Sequence, residues 1–350
     1  MKKLIFVFTI FLLSEFTHAA RQWERFTLPG GACGNGGSYH FYYSSKNLKK
    51  LALVLPGGNA CWSKATCYNT KKPLANMFPV EYVPTNDQVL SENSSRSPLH
   101  DYSIVYLPYC TGDVFLGHHQ TRYGEFRAYH FGRLNIENTV KYLVSQSIVS
   151  LDQLEEFVLY GSSAGAIGAL FHIKTIAPMV DHISNKTLLL DAPGLHFGDS
   201  FWHKFTEQQL QDYSQALSEL GFPFSADNGN VSSAFTLVCQ NYVEWKIAML
   251  QGSKDKTMSL LFGGISPNNH EKLLYSDAGV YGKTNSVDDN CAVWAPSTFA
   301  HTFLNKTRNS KIEAGPYNAV QYSKFVIQSP GILGPNWGRP AGTNKINFVH

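Results

Sequence analysis

A serine hydroxyl becomes a nucleophile only when a neighbouring base takes its proton and an acid orients that base. Gly161-Ser162-Ser163-Ala164-Gly165 has the G-x-S-x-G form that can place a serine for such work. The form carries meaning only where a strand leads in and a helix leads out, because the serine must sit on a sharp, strained turn. Phe157-Val158-Leu159-Tyr160 supplies the apolar strand, and a small-residue helix is expected from Ala164 through Ile176. The two flanking glycines relieve crowding at the turn, and a helix N-terminus favours negative charge developing beside it. Ser163 is the candidate nucleophile; Ser162 occupies the wrong slot of the pentapeptide.

The partners must come from elsewhere in the chain. In α/β-hydrolases they follow in the order Ser, then Asp or Glu, then His. Asp255, in Q-G-S-K-D, lies just past a strand expected at 246–250. Catalytic loops of open parallel sheets gather at such carboxyl ends. Asp191, ending L-L-L-D, is the rival acid but follows Ser163 closely. His301, in W-A-P-S-T-F-A-H before a helix-like run, is the candidate base, with His196, His203 and His270 as competitors. An oxyanion hole needs backbone N–H groups aimed where charge forms. Ala164 offers one, and the turn Pro56-Gly57-Gly58-Asn59 after a strand at 51–55 offers Gly58 and Asn59. The other reading of that turn is a tight bend using its glycines for positive φ.

These residues need a scaffold. Short apolar runs at 51–55, 103–107, 157–160, 187–190 and 246–250 alternate with helix-like stretches, including one at 134–147. That alternation predicts an α/β-hydrolase-like, mostly parallel sheet flanked by helices. An amphipathic stretch at 206–221 lies in an insertion of about 198–235 that could cap the sheet. No linker divides the chain, so 20–350 reads as a single domain.

Composition narrows the setting. With 43% hydrophobic and 16% charged residues, the 350-residue chain can bury a sizeable core and is not disordered. Lys and Arg number 29 against 26 Asp and Glu and are scattered, which argues against a nucleic-acid partner. Residues 1–19 read as a cleaved secretory signal: Lys2 and Lys3, an apolar run over 4–13, then Ala19 and Ala20. The run is short for a bilayer span, and no second one is long enough, so no stable membrane anchor is expected. The expected location is secreted or periplasmic. Six cysteines, an even number, suit that oxidising setting. Cys61 and Cys67 are close enough for a local staple, and a zinc site lacks the usual C-x-x-C or H-x-x-x-H spacing. N-x-S/T sequons begin at Asn93, Asn185, Asn230 and Asn305.

In patches from Cys33 to His301, the chain resembles the pectin acetylesterase/Notum family of secreted carboxylesterases. The patches are C-G-N-G-G-S-Y-H-F-Y-Y from Cys33, L-P-G-G-N-A-C-W with Cys67, P-Y-C-T-G-D from Pro108, G-S-S-A-G, Q-G-S-K-D and P-S-T-F-A-H. The resemblance implies a Ser163, Asp255 and His301 triad, an oxyanion loop at Gly58 and Asn59, and disulfides Cys61–Cys67 and Cys33–Cys110. Asn59 stands where the family usually has tryptophan. Thr298 stands where a cysteine is common, so that disulfide is absent or replaced, with Cys239 and Cys291 a candidate pair instead. The implied activity is hydrolysis of acetyl esters on a polysaccharide through an acyl-enzyme, needing no metal or organic cofactor. A fatty-acyl ester hydrolase is the alternative, and a catalytically silent glycan-binding protein a more distant one.

Overall fold

The computed structural model describes residues 21–68, 76–84, 87–284, 289–331 and 333–338. The signal reading of 1–19 lies outside them. The chain opens with β1 (Glu24–Ala32), β2 (Ser38–Ser44), β3 (Lys50–Leu55), the short α1 (Lys64–Tyr68) and β4 (Ser103–Tyr106). A separate hairpin, β5 (His119–Tyr123) and β6 (Phe126–His130), precedes α2 (Gly132–Ser145). Then come β7 (Glu156–Ser162), α3 (Ala164–Ile176), β8 (Asn185–Asp191), α4 (Glu207–Glu219), α5 (Ser233–Asn241) and β9 (Trp245–Leu250). The last part holds α6 (Pro267–Tyr275), α7 (Val280–Thr284), β10 (Cys291–Ala295), the two-residue pair β11 (Glu313–Ala314) and β12 (Tyr317–Asn318), α8 (Ala319–Gln328) and β13 (Trp337–Gly338).

Nine strands form one sheet in the order β1-β2-β4-β3-β7-β8-β9-β10-β13. β1, β2 and β4 pair antiparallel, and every pairing from β4 through β3 to β13 is parallel. The sheet is α/β-hydrolase-like and flanked by helices. The central strands are buried along nearly their whole length, as a sheet covered on both faces requires.

Strand alternation sorts the core into two layers. Leu51, Leu53 and Leu55 face the side covered by Ile136, Val140 and Leu143 of α2 and Ala166, Leu170 and Ile173 of α3. Ala52 and Val54 face the opposite side, with Val320, Tyr322 and Val326 of α8. The expected 206–221 helix is α4, begun by a capping box in which Thr206 accepts from Gln209 N and Gln209 reaches back to the Thr206 backbone. Gln209 Nε2 also donates to Cys61 O at 2.6 Å, tying this stretch to the loop after β3. Among the described residues no helix is long and apolar enough to cross a membrane.

One local expectation fails. The run after His301 is not helical: it turns through residues 302–308 into a 3₁₀ turn, Asn309–Lys311, and the next α-helix is α8. Thr302 leaves the right-handed helical region, with φ +58°, and the Asp191 carboxylate, far away in sequence, takes the backbone amides of Phe303 and Leu304 that follow it.

Candidate active site

Ser163 comes directly after β7 and is the N-cap of α3, with φ +54° and ψ −121°. Few non-glycine residues adopt such a backbone, and it persists only where surrounding structure enforces it. The enforcement is visible. Ser163 N donates to Asp191 O at 2.7 Å, and Ser163 O accepts from Ala166 N at 2.9 Å. A Cβ on Gly161 would lie 2.1 Å from Gly165 O, and one on Gly165 would lie 2.0 Å from Leu55 O. Both glycines are required by close approach.

The three residues picked out as a candidate triad meet at the carboxyl ends of β7, β9 and β10. His301 Nε2 is 2.8 Å from Ser163 Oγ, and His301 Nδ1 is 2.7 Å from Asp255 Oδ2. Asp255 is fully buried. Its Oδ1 accepts from Thr257 N at 2.8 Å and Met258 N at 3.0 Å, and Oδ2 also accepts from Gln251 Nε2 at 3.2 Å. These bonds fix the carboxylate's orientation and leave Oδ2 aimed at the imidazole.

The competitors are occupied elsewhere. His196 is buried, its Nδ1 against Gly194 O and its Nε2 accepting from Val280 N; burial, with the nearby His270, depresses its basicity to a pKa of about 3. His270 is buried with Nδ1 against Ser253 O, and His203 is exposed near Asp227. Ser162 Oγ accepts from Gly57 N and from Asn305 Nδ2, each at 3.0 Å. Asn305 heads one of the sequons, and its amide nitrogen is committed to that bond.

Asp191, the rival acid, is not the carboxylate on the His301 ring, whose two nitrogens lie against Asp255 and Ser163. It accepts from Phe303 N and Leu304 N, and the single proton of the Tyr160 hydroxyl is shared between Asp191 Oδ2 at 3.1 Å and Asn305 Oδ1 at 2.8 Å. Burial dominates and raises its pKa to about 6, while the two amides pull it back down. This Ser162–Asn305–Tyr160–Asp191 network was not legible as a site feature. Its members become partners only when the segment after His301 folds back over β7 and β8.

Gly58, Asn59 and Ala164, the three candidate oxyanion donors, line one cavity of about 160 Å³ together with Ser163. Neither Gly57 nor Gly58 has a positive φ, so the tight-turn reading does not hold. A Cβ on Gly57 would lie 2.8 Å from Ser163 Cβ, and one on Gly58 would lie 2.2 Å from the Tyr109 ring. Glycine is needed at 57 by the approach to Ser163 and at 58 by the Tyr109 ring packed against it. The remaining walls are mostly apolar: Trp62, Val114, Ile167, Met258 and Phe262, with Leu261 at the exposed edge. No sequence signal marked these wall residues except the aromatic richness of the chain.

The six cysteines pair as Cys33–Cys110, Cys61–Cys67 and Cys239–Cys291. The second pair braces the loop that carries Gly58 and Asn59, next to Trp62.

A sequence model of the pectinacetylesterase family matches residues 25–218, more than half of the chain. The chain belongs to this family. The match includes Gly58, Asn59, Ser163 and Ala164 and ends before Asp255 and His301. Among curated proteins, the palmitoleoyl-protein carboxylesterase NOTUM of Schmidtea mediterranea is 30% identical over 147 residues, covering 40% of this chain and 27% of that protein. Palmitoleoyl-protein carboxylesterase notum2 of Xenopus laevis is 28% identical over 163 residues, covering 45% and 32%. NOTUM of Homo sapiens is 27% identical over 157 residues, covering 43% and 31%. The matched stretches span less than a third of these relatives' own length.

Proposed function

We propose that this member of the pectinacetylesterase family is a secreted serine carboxylesterase that works through an acyl-enzyme. Ser163 Oγ attacks the ester carbonyl as His301 Nε2 takes its proton. Asp255, hydrogen-bonded to Nδ1, holds the ring in the tautomer that leaves Nε2 able to accept, and stabilises the imidazolium that forms. Amides of Gly58, Asn59 and Ala164 stabilise the tetrahedral oxyanion. His301 returns the proton to the departing alcohol. Water, deprotonated by the same imidazole, then releases the acid. The observation that carries this reading is the 2.8 Å Ser163–His301 contact on an elbow whose backbone is forced to φ +54°. The three disulfides favour an oxidising compartment.

Family membership supports an acetyl ester on a polysaccharide as substrate. A second reading, a longer acyl chain, is favoured by the cavity itself. An apolar cavity of roughly 150 Å³ holds a benzene-sized group, well beyond an acetyl, and the walls here are Trp62, Val114, Ile167 and Phe262. The curated relatives' name, palmitoleoyl-protein carboxylesterase, points the same way. The test is an acyl-chain-length profile, p-nitrophenyl acetate against butyrate and octanoate, on wild type and Ser163→Ala. Turnover should fall on the order of a million-fold in the variant. Hydrolysis that survives the substitution in pure protein would remove Ser163 from its role.

A further inference from the structure

Lys204 sits where a lysine rarely does. Its Nζ lies 4.3 Å from the Phe201 ring centre, 4.5 Å from Phe262, 4.9 Å from Trp62 and 5.4 Å from Phe205. Nζ donates to the Phe262 carbonyl oxygen. Among the described residues no carboxylate lies within ion-pair distance of it. A cation over aromatic faces is held by the ring quadrupoles, and more strongly where water is excluded.

The four rings come from three parts of the chain. Trp62 belongs to the loop after β3, beside the Cys61–Cys67 disulfide. Phe201 and Phe205 belong to the 3₁₀ turn Phe201–Lys204 and its end, within the 198–235 stretch. Phe262 is the penultimate residue of the π-helical turn Thr257–Gly263, whose first amides hold Asp255. Trp62 and Phe262 are both walls of the cavity beside Ser163. Their direct contact is loose, with ring centres 6.4 Å apart and tilted 49°. The ammonium bridges that gap.

We propose that Lys204 is a positioning residue that sets acyl-group selectivity, its ammonium clamping Trp62 and Phe262 as walls of the cavity beside Ser163. The inference rests on the serine-esterase reading, since it assigns that cavity to the acyl group. The clamp acts on the far end of a longer acyl chain and does not touch the reacting atoms. Its loss lets the Phe262 ring swing into the space the chain needs. Desolvation lowers the Lys204 pKa to about 8, so the clamp weakens as pH rises through that value. The charged groups on the elements packed around it are Lys64, Asp199, His203, Glu207, Asp227 and Lys256. None forms an ion pair with it: Lys64 pairs with Glu125, and His203 lies near Asp227.

The experiment compares wild type, Lys204→Met and Lys204→Arg on p-nitrophenyl acetate and octanoate. Competent sites are counted by stoichiometric labelling with a small fluorophosphonate. The octanoate-to-acetate ratio of kcat/KM should fall about tenfold in Lys204→Met. The fall should come through the octanoate KM, and Lys204→Arg should restore most of it. An unchanged ratio in fully labelled Lys204→Met overturns the proposal. If Lys204→Met does not fold, the wild-type ratio measured from pH 7 to 9.5 reads the same charge. A fall centred near pH 8 supports the clamp, and a flat ratio overturns it. Wild type that takes no label would instead sink the serine-esterase reading, and this inference with it.

Discussion

The Asp191 carboxylate accepts the backbone amides of Phe303 and Leu304 at 2.8 to 2.9 Å, just past His301. The same residue's carbonyl oxygen accepts from Ser163 N at 2.7 Å. One aspartate thereby holds both the Ser163 turn and the loop that carries His301, without a hydrogen bond to either of those side chains. Replacing it by alanine leaves two buried amides without an acceptor. Asp191→Ala should lose about 2–5 kcal/mol of stability, read as a urea midpoint shift at constant m-value. The folded fraction should lose about a hundredfold in kcat as His301 drifts. Wild-type kcat in the folded fraction would show that His301 is held by something else.

The same carboxyl gives a pH signature. Its folded pKa is raised from 3.8 to about 6, so between pH 4 and 6 the folded chain binds a proton that the unfolded chain has released. Stability from this group is fully present below about pH 4 and is lost as pH rises through 6. Asp191→Asn should flatten that part of the stability curve. Urea midpoints at half-unit pH intervals for both proteins would show it, and parallel curves would place the proton elsewhere.

Asp255 makes a sharper case for geometry. Its Oδ1 is held by two amides, from Thr257 and Met258. In Asp255→Asn those amides keep the carbonyl oxygen, which turns the new NH₂ toward His301 Nδ1. The imidazole must then accept at Nδ1 and carry its proton on Nε2, where it cannot take the serine's. kcat on p-nitrophenyl acetate should fall about 10⁴-fold with little change in KM. A loss of only severalfold would mean that the orienting acid has been misassigned.

The features legible in the sequence were chain-local. Ser163 and the Gly58–Asn59 turn each follow a strand expected from the sequence, which made them candidates; for the partners, order and loop position favoured Asp255 over Asp191 but left His196, His203 and His270 open beside His301, and only the resemblance implied the choice. The central parallel strands were legible as short apolar runs ended by turn residues. The cavity was not. Trp62, Val114, Ile167 and Phe262 are far apart in sequence and acquire a shared role only when the crossovers bring their loops to one end of the sheet. Asp191 was weighed as an acid because it ends a strand, and its actual partners are two backbone amides and the Tyr160 hydroxyl, brought to it only by the fold. The run after His301 read as helical from its residue types, and the positive φ of Thr302, which no residue pattern announces, breaks it.

Gly165 tests whether the elbow depends on close packing. A Cβ there would stand 2.0 Å from Leu55 O and 2.6 Å from Pro56 O, backbone atoms of a buried strand end that cannot swing aside. Gly165→Ala should cost about 3 kcal/mol or more and push the serine away from the Gly58 loop. Gly221 is the comparison: it has φ +81° with open space around it, so alanine there meets only backbone strain. Gly221→Ala should cost about 1 kcal/mol and leave turnover intact. Equal costs at the two sites, by thermal or urea unfolding, would contradict the packing argument.

Disulfides separate stability from function in the same chain. Cys239–Cys291 closes a loop with a sequence separation of 52, whereas Cys61–Cys67 spans only 6. Loop-closure entropy assigns about 4 kcal/mol to the first and about 2 kcal/mol to the second. Their positions invert the functional ranking. Cys239 is in α5 and Cys291 begins β10, at the end of the sheet away from Ser163. Cys61 adjoins Trp62, donates to Gly112 O and accepts from Gln209 Nε2, so it fixes the loop that carries Gly58 and Asn59. The double serine variant at 239 and 291 should therefore unfold more easily yet keep its kcat per labelled site. The double serine variant at 61 and 67 should be the more stable of the two and the poorer catalyst. Activity tracking stability in both would show that the loop needs no staple to hold its amides on the serine.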